Sequence, residues 1–167
     1  MKKLFIILYL LTNIFVLGAC GDVESEGDPQ PRVPRVEVES DDYYVQITQE
    51  NMDGVAFVYR WLDMETAKKY VMTLGLQVDG ETTETMDVED KSILTYNGVR
   101  EQLFTNQQIM EYMRAFGVDE KEAQFGITLE AFQSDGMPIT SEADKGSKTS
   151  IIHIVLGPGV DLNSSME

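Results

Sequence analysis

Cysteine, histidine and positive charge are what this chain has least of. A single cysteine, Cys20, stands among 167 residues, so no disulfide can form within the chain and a folded domain must rest on its core alone. With only one histidine, His153, a metal centre of the Cys/His type cannot be assembled. Thirteen lysines and arginines face 29 acids, a net charge of −16. That charge repels phosphate backbones and anionic lipid surfaces, which excludes nucleic acid as a partner. Long apolar runs are absent too. The longest, Leu4 to Leu17, is interrupted by Thr12 and Asn13 and falls short of the roughly 20 residues a spanning helix needs.

That short run is nevertheless the most informative part of the chain. Lys2 and Lys3 precede it and small residues close it, the charged, apolar and cleavable regions of a secretory signal. Leu17, Gly18, Ala19 and Cys20 resemble the lipobox of bacterial lipoprotein precursors. The resemblance implies that the Cys20 thiol is acylated, that residues 1–19 are removed as a signal peptide, and that the new amine is acylated as well. Several acyl chains on one residue hold a protein essentially permanently where one holds it marginally. The expectation is a protein anchored to a membrane and not spanning it, with a covalent lipid on Cys20, no cofactor and no metal. Cleavage leaves 11 basic against 29 acidic residues, a charge of −18.

Composition then divides the remainder. Residues 20–42 are rich in Asp, Glu, Ser and Pro, with Val23, Val33, Val36 and Val38 as isolated apolar residues, and read as a disordered, acidic stalk stiffened by Pro29, Pro31 and Pro34. Residues 43–157 carry the pattern of one domain, and residues 158–167 read as a tail. Val55, Phe57, Tyr59 and Trp61 alternate with Ala56, Val58 and Arg60, as a strand with one buried face requires; this places Trp61 in the core. Tyr70 to Val78 repeats the pattern before the Asp79-Gly80 turn. Weaker strands are expected at Tyr44 to Thr48, Ile93 to Tyr96, Phe125 to Phe132 and Thr149 to Leu156. One helix interrupts them. Thr105 to Gln108 form a capping box, Phe104 and Ile109 a hydrophobic staple, Ile109, Met113 and Phe116 one face, and Gly117 the left-handed cap. Turn signals about every ten residues point to an all-β sandwich with one short helix.

These segments carry a second resemblance. Ile47 to Asn51, Ala56 to Trp61 and Tyr70 to Asp79, followed by Phe104 to Val118, Ala123 to Phe132 and Thr149 to Leu156, are similar to the N-terminal domain of SusE-type outer-membrane lipoproteins. The resemblance implies an immunoglobulin- or fibronectin III-like sandwich on a lipid-anchored stalk, at the outer membrane and exposed at the cell surface. It further implies partners in a glycan-capture system, a porin-type transporter and a glycan-binding lipoprotein.

Chemistry is sparse. His153 lies on a strand among aliphatic residues, with Ser150 on the opposite face, so the two form no dyad. Glu81, Glu84, Asp87, Glu89 and Asp90 lack the spacing and glycine of a calcium loop and read as a solvated loop. With no catalytic constellation, the expected function is a non-catalytic accessory or scaffold component of glycan uptake. Two alternatives stand beside it: a carbohydrate-binding module using Tyr43, Tyr44 and Tyr96 as stacking platforms, and an adhesin or filament subunit that donates its tail as a strand.

Overall fold

The structure is a computed structural model that describes residues 36–139 and 147–162. The signal peptide, the lipobox with Cys20, the stalk up to residue 35 and the last five residues of the tail lie outside the described residues. Eight strands and one helix follow in order: β1 (Asp42–Ile47), β2 (Val55–Leu62), β3 (Lys69–Val78), β4 (Glu81–Val88), β5 (Ile93–Leu94), β6 (Val99–Thr105), α1 (Asn106–Ala115), β7 (Glu122–Phe132) and β8 (Ser147–Leu156). They form a five-stranded sheet, β1-β8-β7-β3-β4, and a three-stranded sheet, β2-β6-β5. The first strand pairs parallel with the last, Asp42 opposite Ile151 through Ile47 opposite Leu156; all other pairings are antiparallel. This is the expected sandwich of immunoglobulin type, with β4 added to the larger sheet.

The alternating patterns fold as read. Phe57, Tyr59 and Trp61 of β2 face Tyr70, Met72 and Leu74 of β3 and Phe125, Ile127 and Leu129 of β7, all buried. Val55 departs from its expected parity because a bulge between Val55 and Phe57 shifts the register against β6, leaving it exposed. The turns carry the residues that left-handed backbone requires: Asp79 and Gly80 have φ of 53° and 81°, Asn97 and Gly98 of 63° and 71°. The capping box of α1 is formed at Thr105. Its other end is a Schellman motif in which Gly117 N–H donates to Arg114 O and Val118 N–H to Met113 O.

Two strands depart from the sequence reading. The acidic stretch read as a solvated loop is in fact β4, paired along β3 from Met72 opposite Val88 to Val78 opposite Glu81. Only Val88 of it is buried, so an edge strand wet on both faces shows no apolar alternation. The second, β6, is masked by what it turns inward. Gln102, opposite Tyr59 of β2, is buried, donating to Glu89 O at 3.1 Å and accepting from Lys91 N–H at 3.2 Å.

The domain boundaries also widen. Val36 is buried, Val38 bridges to Trp61, Glu39 N–H donates to Arg60 O and Leu62 N–H to Glu37 O. Residues 36–41, assigned to the stalk, therefore cover the open edge of β2, and Asp42 already lies in β1. At the other end Val160 and Leu162 are buried and Arg114 Nε donates to Leu162 O at 2.6 Å, so the ordered domain runs past residue 157.

Buried tyrosines give the core a pH dependence. Burial pushes the Tyr59 phenol far above its ordinary value of 10.0, and burial also raises Tyr43, Tyr70 and Tyr112. A group with a raised folded pKa contributes stability that is fully present below the unfolded value and is lost above it, because the unfolded chain ionises first. Urea midpoints are expected to fall as pH rises beyond about 10, and more shallowly in Tyr59→Phe. A variant with the same alkaline slope as the parent would remove Tyr59 from this role.

Candidate functional site

Of the three tyrosines proposed as platforms, the structure brings no two together. Tyr43 is corrected: it turns inward, packing at 4.7 Å on Phe57 and 5.7 Å on Tyr59, with its hydroxyl buried. Neighbouring strand residues point to opposite faces, so Tyr44 turns outward and is 79% exposed. Tyr96, 87% exposed, sits in the turn between β5 and β6 of the other sheet.

Tyr44 does have a partner. Its ring stacks on His153 of β8 at 4.6 Å and 7°, an arrangement set by their direct opposition in the β1–β8 register. His153 Nε2 is 3.5 Å from Asp42 Oδ1. Ser150 is turned inward, donating to Ser40 O at 2.8 Å, so histidine and serine lie on opposite faces of β8.

The register extends this pair into a row across the outer face of the large sheet. His153 opposes Gln124, Gln124 opposes Gln77, and Gln77 opposes Thr82. The adjoining row holds Gly126 opposite Gly75. A Cβ on Gly126 would lie 2.6 Å from Gln77 Nε2, and one on Gly75 2.5 Å from Thr82 Cγ2. The two glycines thus let Gln77 lie flat and donate to Thr82 Oγ1 at 2.6 Å.

Beyond the row lies a groove of about 810 Å³ between the Asp79-Gly80 turn and the connection from α1 to β7. Tyr44, His153, Gln77 and Gln124 line one side, with Leu76 and Val118 among its apolar parts. Asp79, Asp119, Glu120 and Glu122 also line it. Among the described residues these four make no ion pair, whereas Glu39 and Glu101 hold Arg60, Asp63 holds Arg100 and Asp41 holds Lys148.

A second surface is the outer face of the small sheet. Leu62, Ile93 and Leu103 are exposed there, with Val58 opposite Leu103 and Val99 opposite Leu62. Arg60 crosses the patch, bonded at 3.1 Å to both Glu39 and Glu101.

Sequence reasoning missed Gln77 and Gln124, whose only mark was their outward parity. The described residues contain no cluster of three or more His, Cys, Asp or Glu suited to a metal ion, and no described helix is long and apolar enough to cross a membrane. The fold and these surfaces define an immunoglobulin-type sandwich with one aromatic groove and one apolar sheet face. No family model matches the chain, and no curated protein matches it.

Proposed function

We propose that this is a non-catalytic, lipid-anchored outer-membrane protein, an accessory component of a surface glycan-capture and uptake system that docks onto partner proteins. The observation that supports docking is the apolar outer face of the small sheet. Ile93 is 66% exposed and Leu103 50%, on a chain with more than two acids for every base. Exposed apolar side chains grouped on both sides of the Arg60–Glu101 pair, on such a background, support a contact surface there. The partners are those the SusE-type resemblance implies, a porin-type transporter and its glycan-binding lipoprotein.

The test is purification of the tagged protein from detergent-solubilised outer membrane. Transporter and binding lipoprotein are expected to co-purify, and Leu103→Glu, which alters an exposed side chain, is expected to lose most of both. Recovery only from the inner membrane, or undiminished co-purification by the variant, would count against the reading. A second reading, direct carbohydrate binding, is favoured by one observation, the exposed face of Tyr44. Retardation of the protein in a native gel containing one polysaccharide, abolished by Tyr44→Ala, would select it.

A further inference from the structure

The open edge of β1 offers its backbone to a neighbour. Ile151 N–H donates to Asp41 O and Gly157 N–H to Ile47 O, each at 2.7 Å. The odd-numbered residues of this parallel pairing therefore turn their bonding groups toward β8, and Asp42, Tyr44 and Gln46 turn theirs to the free edge. Side chains close the two ends of that edge. The Ser40 hydroxyl donates to Asp42 O at 2.7 Å and accepts from Asp42 N–H at 3.3 Å, while Asn51 Nδ2 donates to Gln46 O at 2.8 Å. Between them the Tyr44 N–H and carbonyl and the Gln46 N–H have no partner among the described residues.

The other edges are guarded. β4 carries Glu81, Glu84 and Asp87, the edge of β2 is covered through bonds to Glu37 and Glu39, and β5 is two residues long. Charge, cover and brevity are the usual means of keeping an edge unpaired. The middle of β1, Tyr43, Tyr44 and Val45, has none of them.

The sequence of β1 is complementary to itself. Antiparallel pairing of two copies about Tyr44 sets Tyr43 opposite Val45 and Asp42 opposite Gln46, with no like charges facing. Tyr44 meets Tyr44 of the second copy as a hydrogen-bonded pair that exchanges both backbone bonds. The Gln46 N–H of each copy then reaches the Asp42 carbonyl of the other, which keeps a lone pair for it. Directly opposed residues share a face, and the open ring face of Tyr44 points off the β1 edge. The stack of Tyr44 on His153 at 4.6 Å thus continues across the seam, an aromatic cross-strand pair being among the stabilising ones. The acids beside the seam are balanced locally: Asp41 by Lys148 at 2.9 Å, and Asp42 by its place 3.5 Å from His153.

We infer that β1 is the interface through which two copies of this chain join their large sheets into one, across a twofold axis at Tyr44. A self-complementary contact of this kind closes on itself and makes a dimer, with no open chain of copies. The seam uses neither the apolar face of the small sheet nor any partner that face binds. What opposes it is the net −16 of each copy. Salt screens that repulsion, so the dimer is expected to strengthen as salt is added.

The experiment is disulfide trapping in the full chain, followed by sedimentation of the detergent-purified protein. Tyr44→Cys places two thiols at the axis, where the Cα atoms of a hydrogen-bonded pair lie about 5.5 Å apart, within the span of a disulfide. Mild oxidation is expected to give a covalent dimer linked through position 44, identified by peptide mass mapping. Thr85→Cys, at an exposed position of β4, is expected to give none through position 85. In sedimentation, Gln46→Glu sets an acid opposite Asp42 of the second copy and is expected to weaken reversible association about fivefold. Adding Asp42→Gln to it exchanges the two residues at unchanged net charge and is expected to restore association, which a folding defect at position 46 would not allow. Absence of a link through position 44, equal trapping through position 85, or a Gln46→Glu effect that is missing or survives the exchange would overturn the inference.

Discussion

Replacing Trp61 by alanine is expected to remove about 3–5 kcal/mol of folding stability, the usual cost of emptying a buried tryptophan site. Trp61 is 1% exposed and sits where three parts of the fold meet. Its ring lies 5.8 Å from Tyr59 on its own strand and 5.5 Å, edge to face, from Tyr70 on the opposing sheet. Its backbone pairs with Val38 of the segment covering the edge of β2. Small domains have only about 5–15 kcal/mol to lose, so the variant is expected to unfold at a much lower urea concentration with an unchanged slope. Trp61→Phe separates packing from polarity. The indole Nε1 is buried with no hydrogen-bond partner among the described residues, so phenylalanine removes that donor along with part of the ring and is expected to cost clearly less than alanine. A phenylalanine variant as unstable as the alanine one would contradict that account.

The same residue shows why parts of this fold are legible in the sequence. β2 and β3 each have one face against the core, so burial writes itself as alternation. The helix is legible at both ends because its caps are local chemistry: Thr105 and Gln108 bond to each other's backbone, and Gly117 adopts φ of 66°. β4 and β6 are illegible for opposite reasons. One has almost nothing to bury, and the other buries a glutamine whose partners, Glu89 and Lys91, are set by the fold. Val36 and Val38 looked like stray apolar residues in an acidic stalk, since nothing local says that an edge strand lies beside them.

The groove is the least local feature of all. That one of Tyr43 and Tyr44 must face inward follows from strand geometry, yet which one depends on the parity with which β1 meets β8. Gln124 and Gln77 reach the row with Tyr44 only through strand pairings that join residues from distant parts of the chain. Gly75 and Gly126 carry no sequence signal of their purpose. Two unrelated glycines become one feature only when register sets them opposite each other and Gln77 lies across the gap.

Changing Cys20 to serine is expected to abolish lipid anchoring at the outer membrane, leaving an unacylated precursor or a released protein. The residue lies outside the described structure, so the prediction rests on its place behind Leu17, Gly18 and Ala19 and on the energetics of lipid anchors. Each buried methylene contributes about 0.8 kcal/mol, which leaves a single chain in reversible exchange and makes several chains on one residue effectively permanent. Serine offers no thiol to acylate, and this chain has no other cysteine to substitute. Nor can charge retain the domain at the membrane, because a net −16 is repelled by anionic headgroups. Membrane fractionation should therefore find the parent wholly in the outer membrane and the variant as an uncut precursor or in soluble fractions. Mass spectrometry of the parent should place its N-terminus at an acylated Cys20. A parent whose N-terminus lies elsewhere, with Cys20 still reactive toward alkylating agents, would remove the anchor. The apolar face would then have to find its partners as part of a diffusing protein.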